Sequence, residues 1–272
     1  MTAPLHPLDD ATTLTPAGER LATGRTTPHY WNMAGPFGGV TAATVLRAVL
    51  EDPARIGDPI ALTVNFCAAV TEGAFEVAWT ETRAGKTVQH WNVEMRQGGR
   101  VVTTASVVCA ARRETWTHRP GVMPAAPPVE AVERLDTGGR LAWLERYSFR
   151  YVEGPPRIDE PAPLTPRSPR SVIWLRDQPA RPLDYLSLAA LADAFIVRIV
   201  QVRGRPTPMG TVTLTTYFHA GQAALDALGA TPVLGVADAK IFHDNFADQD
   251  ISLWSQEGTL LATGVQAAWF RE

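Results

Sequence analysis

Two stretches of this 272-residue chain return later in it, and that repetition limits the fold more than any other feature. The run TVNFCAA recurs as TTYFHAG, matching Phe66 to Phe218 at a separation of 152. The run GGRVVTTASVVCA recurs as EGTLLATGVQAAW, matching Gly99 to Gly258 at a separation of 159. The second copy therefore carries a small insertion between these points. A repeat this long means two copies of one supersecondary unit. Each copy alone would leave a sheet face and an edge strand open, so the two are expected to pair.

Hydrophobic spacing gives the elements of each copy. Residues 1–30 read as an extended lead-in with a first strand around Glu19–Thr23. A turn-rich loop, Asn32 to Gly39, precedes helical spacing at Val40, Ala43, Val45, Leu46, Val49 and Leu50, which Pro53 stops. Gly38 and Gly39 either make the turn or let the backbone approach a ligand, because the free N–H groups of a helix start suit an anion or a polarised oxygen. From Pro59 four alternating runs divided by Gly-containing turns predict an antiparallel meander. Residues 114–170 concentrate proline and read as a surface wrap, with a strand at Tyr147–Val152. The second copy then offers the strand SVIWLRDQ, a helix over Pro182–Val200, the strand MGTVTLTTYFHA and three further strands. The pattern predicts an α+β fold with an N-terminal unit at 1–113, a proline-rich linker at 114–145 and a C-terminal unit at 146–272.

Composition excludes several classes. With 45% hydrophobic and 19% charged residues and a formal net charge of −3, the chain carries no basic footprint for nucleic acid. No apolar run reaches membrane-span length, and the early acids of the N-terminus do not fit a signal peptide. Cys67 and Cys109 both lie in apolar strand-like runs, as expected of buried thiols in the reducing cytoplasm. The six histidines show no metal-ligand spacing, so neither a metal nor a cofactor is expected.

One acid, Asp193, sits inside the apolar pattern of the second helix, between Ala192 and Ala194. A carboxylate there needs a partner, unless it lies on a solvated rim. On the next strand Thr211, Thr213 and Thr215 alternate with Val212 and Leu214, a row of hydroxyls that would supply one. The repeat acts as an internal control. Gln266 falls on Val107, and the first helix, Val40 to Leu50, has no acid. Polar groups in one copy against apolar residues in the other suggest one active and one structural half.

The runs PFGGVTAATVL, TVTLTTYFH and LLATGVQAAWFR, in this order, resemble three motifs of the type II acyl-CoA thioesterase family, a double-hotdog family in which a long helix is wrapped by a curved antiparallel sheet in each repeat. The resemblance implies a catalytic group of Asp193, Thr211 and Gln266, with the neighbouring Thr213 as the alternative to Thr211. It implies substrate contacts at Gly38, Gly39 and Val40, while His219 is either a further contact or a strand-end residue in the core. It further implies an acyl-CoA substrate, water as the nucleophile and a homodimer or higher oligomer. Two departures, Thr213 where the family has an acid and Tyr217 where it has Trp, bear on substrate choice. A hotdog hydratase, which would pair the acid with a histidine, and a non-catalytic acyl-CoA-binding protein remain the alternatives.

Overall fold

The computed structural model describes residues 4–157, 160 and 163–271. The lead-in is more ordered than the sequence predicts. A short helix α1 (Pro7–Ala11) precedes strands β1 (Thr15–Gly18) and β2 (Leu21–Arg25). Helix α2 (Gly38–Leu50) follows, then β3 (Asp58–Phe66), β4 (Ala74–Ala84), β5 (Val88–Gln97) and β6 (Arg100–Ala110). The second half holds β7 (Tyr147–Glu153), β8 (Ser171–Asp177), α3 (Tyr185–Leu191), α4 (Arg198–Arg203) and β9 (Met209–Phe218). It ends with α5 (Gln222–Leu228), β10 (Val233–Asp238), β11 (Phe242–His243), β12 (Phe246–Trp254) and β13 (Leu260–Phe270).

All strand pairs are antiparallel, and they form one sheet in the order β1-β2-β4-β5-β6-β3-β9-β13-β12-β10-β8-β7, with β11 on β12. The order reads the same from both ends, so each strand of the first half has a counterpart in the second. The expected four-strand meander is corrected in one respect. β4, β5 and β6 do follow one another, but β3 lies beyond β6 and pairs with β9. That pairing removes an open edge from each half. Helices α2 and α3 pack against each other inside the curve of the sheet, and one apolar core, including Leu46, Val49, Trp91, Leu188 and Leu191, runs through both halves.

The single long helix expected over Pro182–Val200 is not formed. α3 begins at an Asp184 cap, whose side chain accepts from the Ser187 N–H at 2.8 Å, and stops at Leu191. A turn over Ala192–Phe195 separates it from α4. The break has a local cause in the β-branched pair Ile196 and Val197, weak helix formers. Asp193 lies in the turn, and its carboxyl reaches the start of α2.

The proline-rich linker does more than wrap the surface. Its segment around Met123–Val132 covers the outer face of the second-half sheet, packing on Val172, Trp174, Leu234, Val236 and Trp254. Trp174 Nε1 donates to Pro127 O at 2.9 Å. Further on, a 3-10 turn (Ala142–Arg146) drives Trp143 into the main core, stacked on Phe37 with ring centroids 4.4 Å apart. Phe37 is the residue that caps α2, so the linker clamps the helix start. No helix among the described residues is long and apolar enough to cross a membrane.

Candidate functional site

The first turn of α2 is where the chain brings an acid and a helix start together. Asp193 is buried, and its carboxyl lies so close to Gly38 that a Cβ there would sit 2.6 Å from Oδ2. At Gly39 a Cβ would meet the Ala190 carbonyl oxygen at 2.6 Å and the Phe37 ring at 2.4 Å. The two glycines are thus required by close approach of α2 to α3. Burial pushes the Asp193 carboxyl up to about 7, and the Gly39 backbone N–H partly offsets this by supporting the ionised form. A helix N-terminus favours an anion for the same reason. The Gly39 N–H, anticipated as a group for a substrate oxygen, is therefore engaged by the protein's own carboxylate.

Thr211 and Gln266 meet on the neighbouring strands. Gln266 is buried, and its Nε2 donates to Thr211 Oγ1. A β-bulge makes this contact possible. Ala267 pairs with Thr213 and Ala268 with Thr211, leaving Val212 unpaired and exposed on β9. The bulge reverses the alternation. Thr211 shares the inner face with Leu214, Thr216 and Phe218, whereas Thr213 donates to Val64 O and Thr215 meets Thr63 on the other side. The predicted row of three threonines on one face is corrected accordingly, and of the two candidates Thr211 is the one joined to Gln266.

Asp193 makes no direct hydrogen bond to Thr211 or Gln266. What relates them is Phe66. Its ring would lie 3.3 Å from a Cβ at Gly38, beside the Asp193 carboxyl. Its predecessor Asn65 pairs with Thr213 on β9. Strand β3 thus meets the acid through Phe66 and the strand that carries Thr211 through its backbone. Val40, buried two residues into α2, lines a narrow, largely apolar cavity with Tyr30, Thr44, Val70, Phe75 and Met95. His219 is not part of this group. It follows the far end of β9, roughly 25 Å along the strand from Thr211 at ~3.3 Å per residue. There it is exposed, with Nε2 2.8 Å from Thr263 Oγ1, and so is neither beside the acid nor in the core.

Two residues that sequence reading missed complete the polar group. Gln249 on β12, also buried, donates through Nε2 to Gln266 Oε1 at 2.8 Å. Arg198 at the start of α4 donates through Nε to Gln249 Oε1 at 3.0 Å. The signal for Gln249 was present, since it occupies an inward position in the alternation Ala247, Gln249, Ile251, Leu253. The first half carries apolar residues at the matching places. Gln266 pairs with Leu214 and Gln249, while Val107 pairs with Leu62 and Trp91. Near the start of α3, Tyr185 packs edge-on against Phe218, 5.5 Å between centroids, where the first half has Gly38 against Phe66. Among the described residues no cluster of three or more metal-ligating side chains occurs.

The fold is a hotdog fold. A hotdog-fold protein from Alicyclobacillus acidocaldarius, described as conserved and of unknown function, superposes with a TM-score of 0.93 at 40% identity, covering 98% of this chain and 99% of that one. An acyl-CoA thioesterase II, TesB2, from Mycobacterium marinum superposes at 0.76 with 20% identity, covering 97% and 98%. A tesB protein from Mycobacterium avium subsp. paratuberculosis superposes at 0.77 with 17% identity over the same shares, 97% and 98%. A search of curated proteins gave no match. The sequence profile of the acyl-CoA thioesterase N-terminal domain matches residues 27–110 and that of the C-terminal domain residues 122–270, and the chain belongs to this acyl-CoA thioesterase family.

Proposed function

We propose that the protein hydrolyses acyl-CoA thioesters at a single site carried by the second half of a double hotdog, with units at 1–113 and 146–272. The observation that carries this reading is the asymmetry of the repeat: buried Gln266 bonded to Thr211 and to buried Gln249 occurs in one half, and the apolar Val107 and Trp91 stand where the two glutamines do in the other. Buried polar groups are costly, so a set confined to one copy implies work done there.

In this mechanism Asp193 is the general base. A carboxyl titrating at about 7 is matched to proton transfer at neutral pH. A water molecule accepts from Thr211, which Gln266 holds through its Nε2, and gives a proton to Asp193 as its free lone pair attacks the thioester carbonyl carbon. The C–S bond then breaks, and the leaving thiolate takes that proton to release free coenzyme A and the carboxylic acid. The acyl group lies along the interface between α2 and the sheet, entering past Gly38 and Gly39 toward Val40. His219, far along β9, is left out of the site.

The test is free-thiol release from acetyl-, octanoyl-, palmitoyl- and benzoyl-CoA by the unmodified protein and by Asp193→Ala and Gln266→Ala. Turnover in the first and its loss in both variants is the expected result, and the preferred ester reports the size of the acyl site. Binding of the esters without turnover would make this an acyl-CoA-binding protein instead. A cytoplasmic location and a homodimer or higher oligomer complete the proposal.

A further inference from the structure

The cation behind the glutamine pair is a group that the mechanism above does not use. Arg198 is 1% exposed. A guanidinium so placed is costly unless its N–H groups find acceptors. Among the described residues every acceptor bonded to it is neutral. Nε donates to Gln249 Oε1 at 3.0 Å, Nη1 to Pro169 O and Ser171 Oγ at 2.9 Å each, and Nη2 to Ile196 O. The first of these bonds has consequences that reach the site.

A guanidinium only donates. Gln249 must turn its carbonyl toward Arg198, since the opposite orientation would set donor against donor. Its NH2 group then points to Gln266 and donates to Oε1 at 2.8 Å. This in turn fixes the Gln266 amide, whose own NH2 donates to Thr211 Oγ1. The hydroxyl accepts here, so its proton is not spent on Gln266 and is free to be donated outward. The direction of every bond from Gln249 to Thr211 is thereby chosen at Arg198. The first half has no such device, since Trp91 and Val107 stand where Gln249 and Gln266 do.

We propose that Arg198 and Gln249 are positioning residues that set the direction of this relay, making Thr211 a hydrogen-bond donor toward the attacking water and leaving Asp193 as the acceptor of its proton. The inference rests on the thioesterase reading of the site. With the relay reversed, Thr211 would donate to a Gln266 carbonyl and turn a lone pair outward. The water would then meet acceptors at both Thr211 and Asp193, and the donor that fixes its oxygen relative to Asp193 would be lost.

Gln249→Glu tests the direction without removing the contact. The glutamate keeps the shape of the side chain and pairs with Arg198, so thermal stability is held or raised. It has no proton to donate, and Gln266 must turn its NH2 toward it, reversing the relay. On the ester the unmodified protein prefers, kcat is expected to fall about tenfold or more while KM stays within about twofold. Arg198→Lys, which also only donates, is expected to keep more of kcat than Arg198→Met. A stable Gln249→Glu protein with undiminished kcat overturns the relay and leaves the thioesterase reading standing, as do Lys and Met variants that are equally impaired. If the glutamate lowers stability, the Lys and Met comparison decides alone. No turnover of any of the four esters by the unmodified protein overturns the thioesterase reading and the relay with it.

Discussion

Thr63 and Thr215 face each other across the two central strands, their hydroxyl oxygens 3.0 Å apart. Around them the register is symmetric: Leu62 pairs with Thr216 and Val64 with Leu214, Ala61 with Tyr217 and Asn65 with Thr213. The pair marks the axis that relates the two halves, and it lies on the face of the sheet away from Asp193. A cross-strand threonine pair is worth roughly 0.2–1 kcal/mol. In a double-mutant cycle of Thr63→Val and Thr215→Val, chemical denaturation should show a coupling energy in that range, with thioester turnover unchanged. Additive single effects would mean that the hydroxyl contact does not help join the halves.

The titration of Asp193 makes stability and activity depend on pH in opposite senses. Its carboxyl loses its proton at about 7 in the folded protein and near 3.8 in the unfolded chain. Between those values the folded state holds a proton that the unfolded state has released. The stabilising contribution is therefore full below about pH 4 and is lost as pH rises through about 7. As a general base, however, Asp193 works only when ionised, so kcat/KM should rise with pH and level off above about 7. Asp193→Asn keeps the acceptor for the Gly39 N–H and removes the ionisation. Its Tm should exceed that of the unmodified protein at pH 8, with the gap closing toward pH 4, while kcat falls by about 10²–10⁴. Tm curves that run parallel for the two proteins across this range would show that Asp193 ionises freely in the folded state.

Gly38 and Gly39 differ in what a methyl group would strike, and this separates a local from a global effect. At Gly38 the added Cβ meets the Asp193 carboxyl and the edge of Phe66, both side chains. Gly38→Ala should therefore fold with a cost within about 1–3 kcal/mol and lose most of its activity through displacement of the acid. At Gly39 the Cβ meets the Ala190 backbone carbonyl, which cannot yield without moving α3. Gly39→Ala should lower Tm more than Gly38→Ala. The reverse order of Tm values would contradict the close packing of the two helices at this point.

The repeat was legible in the sequence because strand register is set by alternation, and alternation survives duplication. The separation of 152 from Phe66 to Phe218 equals that between Thr63 and Thr215, and the separations of 152 and 159 together carry the Leu62–Val107 pair onto Leu214–Gln266. Asp193 and Gln266 stood out as polar residues in apolar patterns. The break between α3 and α4 was hidden because residues on both sides of it and in the turn are buried, so the apolar spacing continues through it. The bulge at Val212 was hidden because an extra residue inverts the pattern without changing its composition. Arg198 could not be recognised as buried, because its acceptors come from Pro169, Ser171 and Gln249, each distant in the chain.

Because the first half shows what this sheet looks like without a site, it also supplies a design for removing one. Val107 and Trp91 fill the places of Gln266 and Gln249 with apolar bulk. Replacing one glutamine alone strands the other, leaving a buried amide without its partner at a cost of about 1–3 kcal/mol. Replacing both removes the polar pair together, and apolar pairs of similar shape can be nearly neutral. The double variant Gln249→Leu, Gln266→Val should therefore melt at a higher temperature than Gln266→Val alone, and neither should turn over thioesters. It leaves Arg198 without its Gln249 acceptor, so some loss relative to the unmodified protein is expected. Differential scanning calorimetry of the two variants measures the difference. A double variant less stable than the single one would mean that the glutamines are held by Arg198 as structural ballast. The one-sided polarity of the repeat would then have a cause other than catalysis.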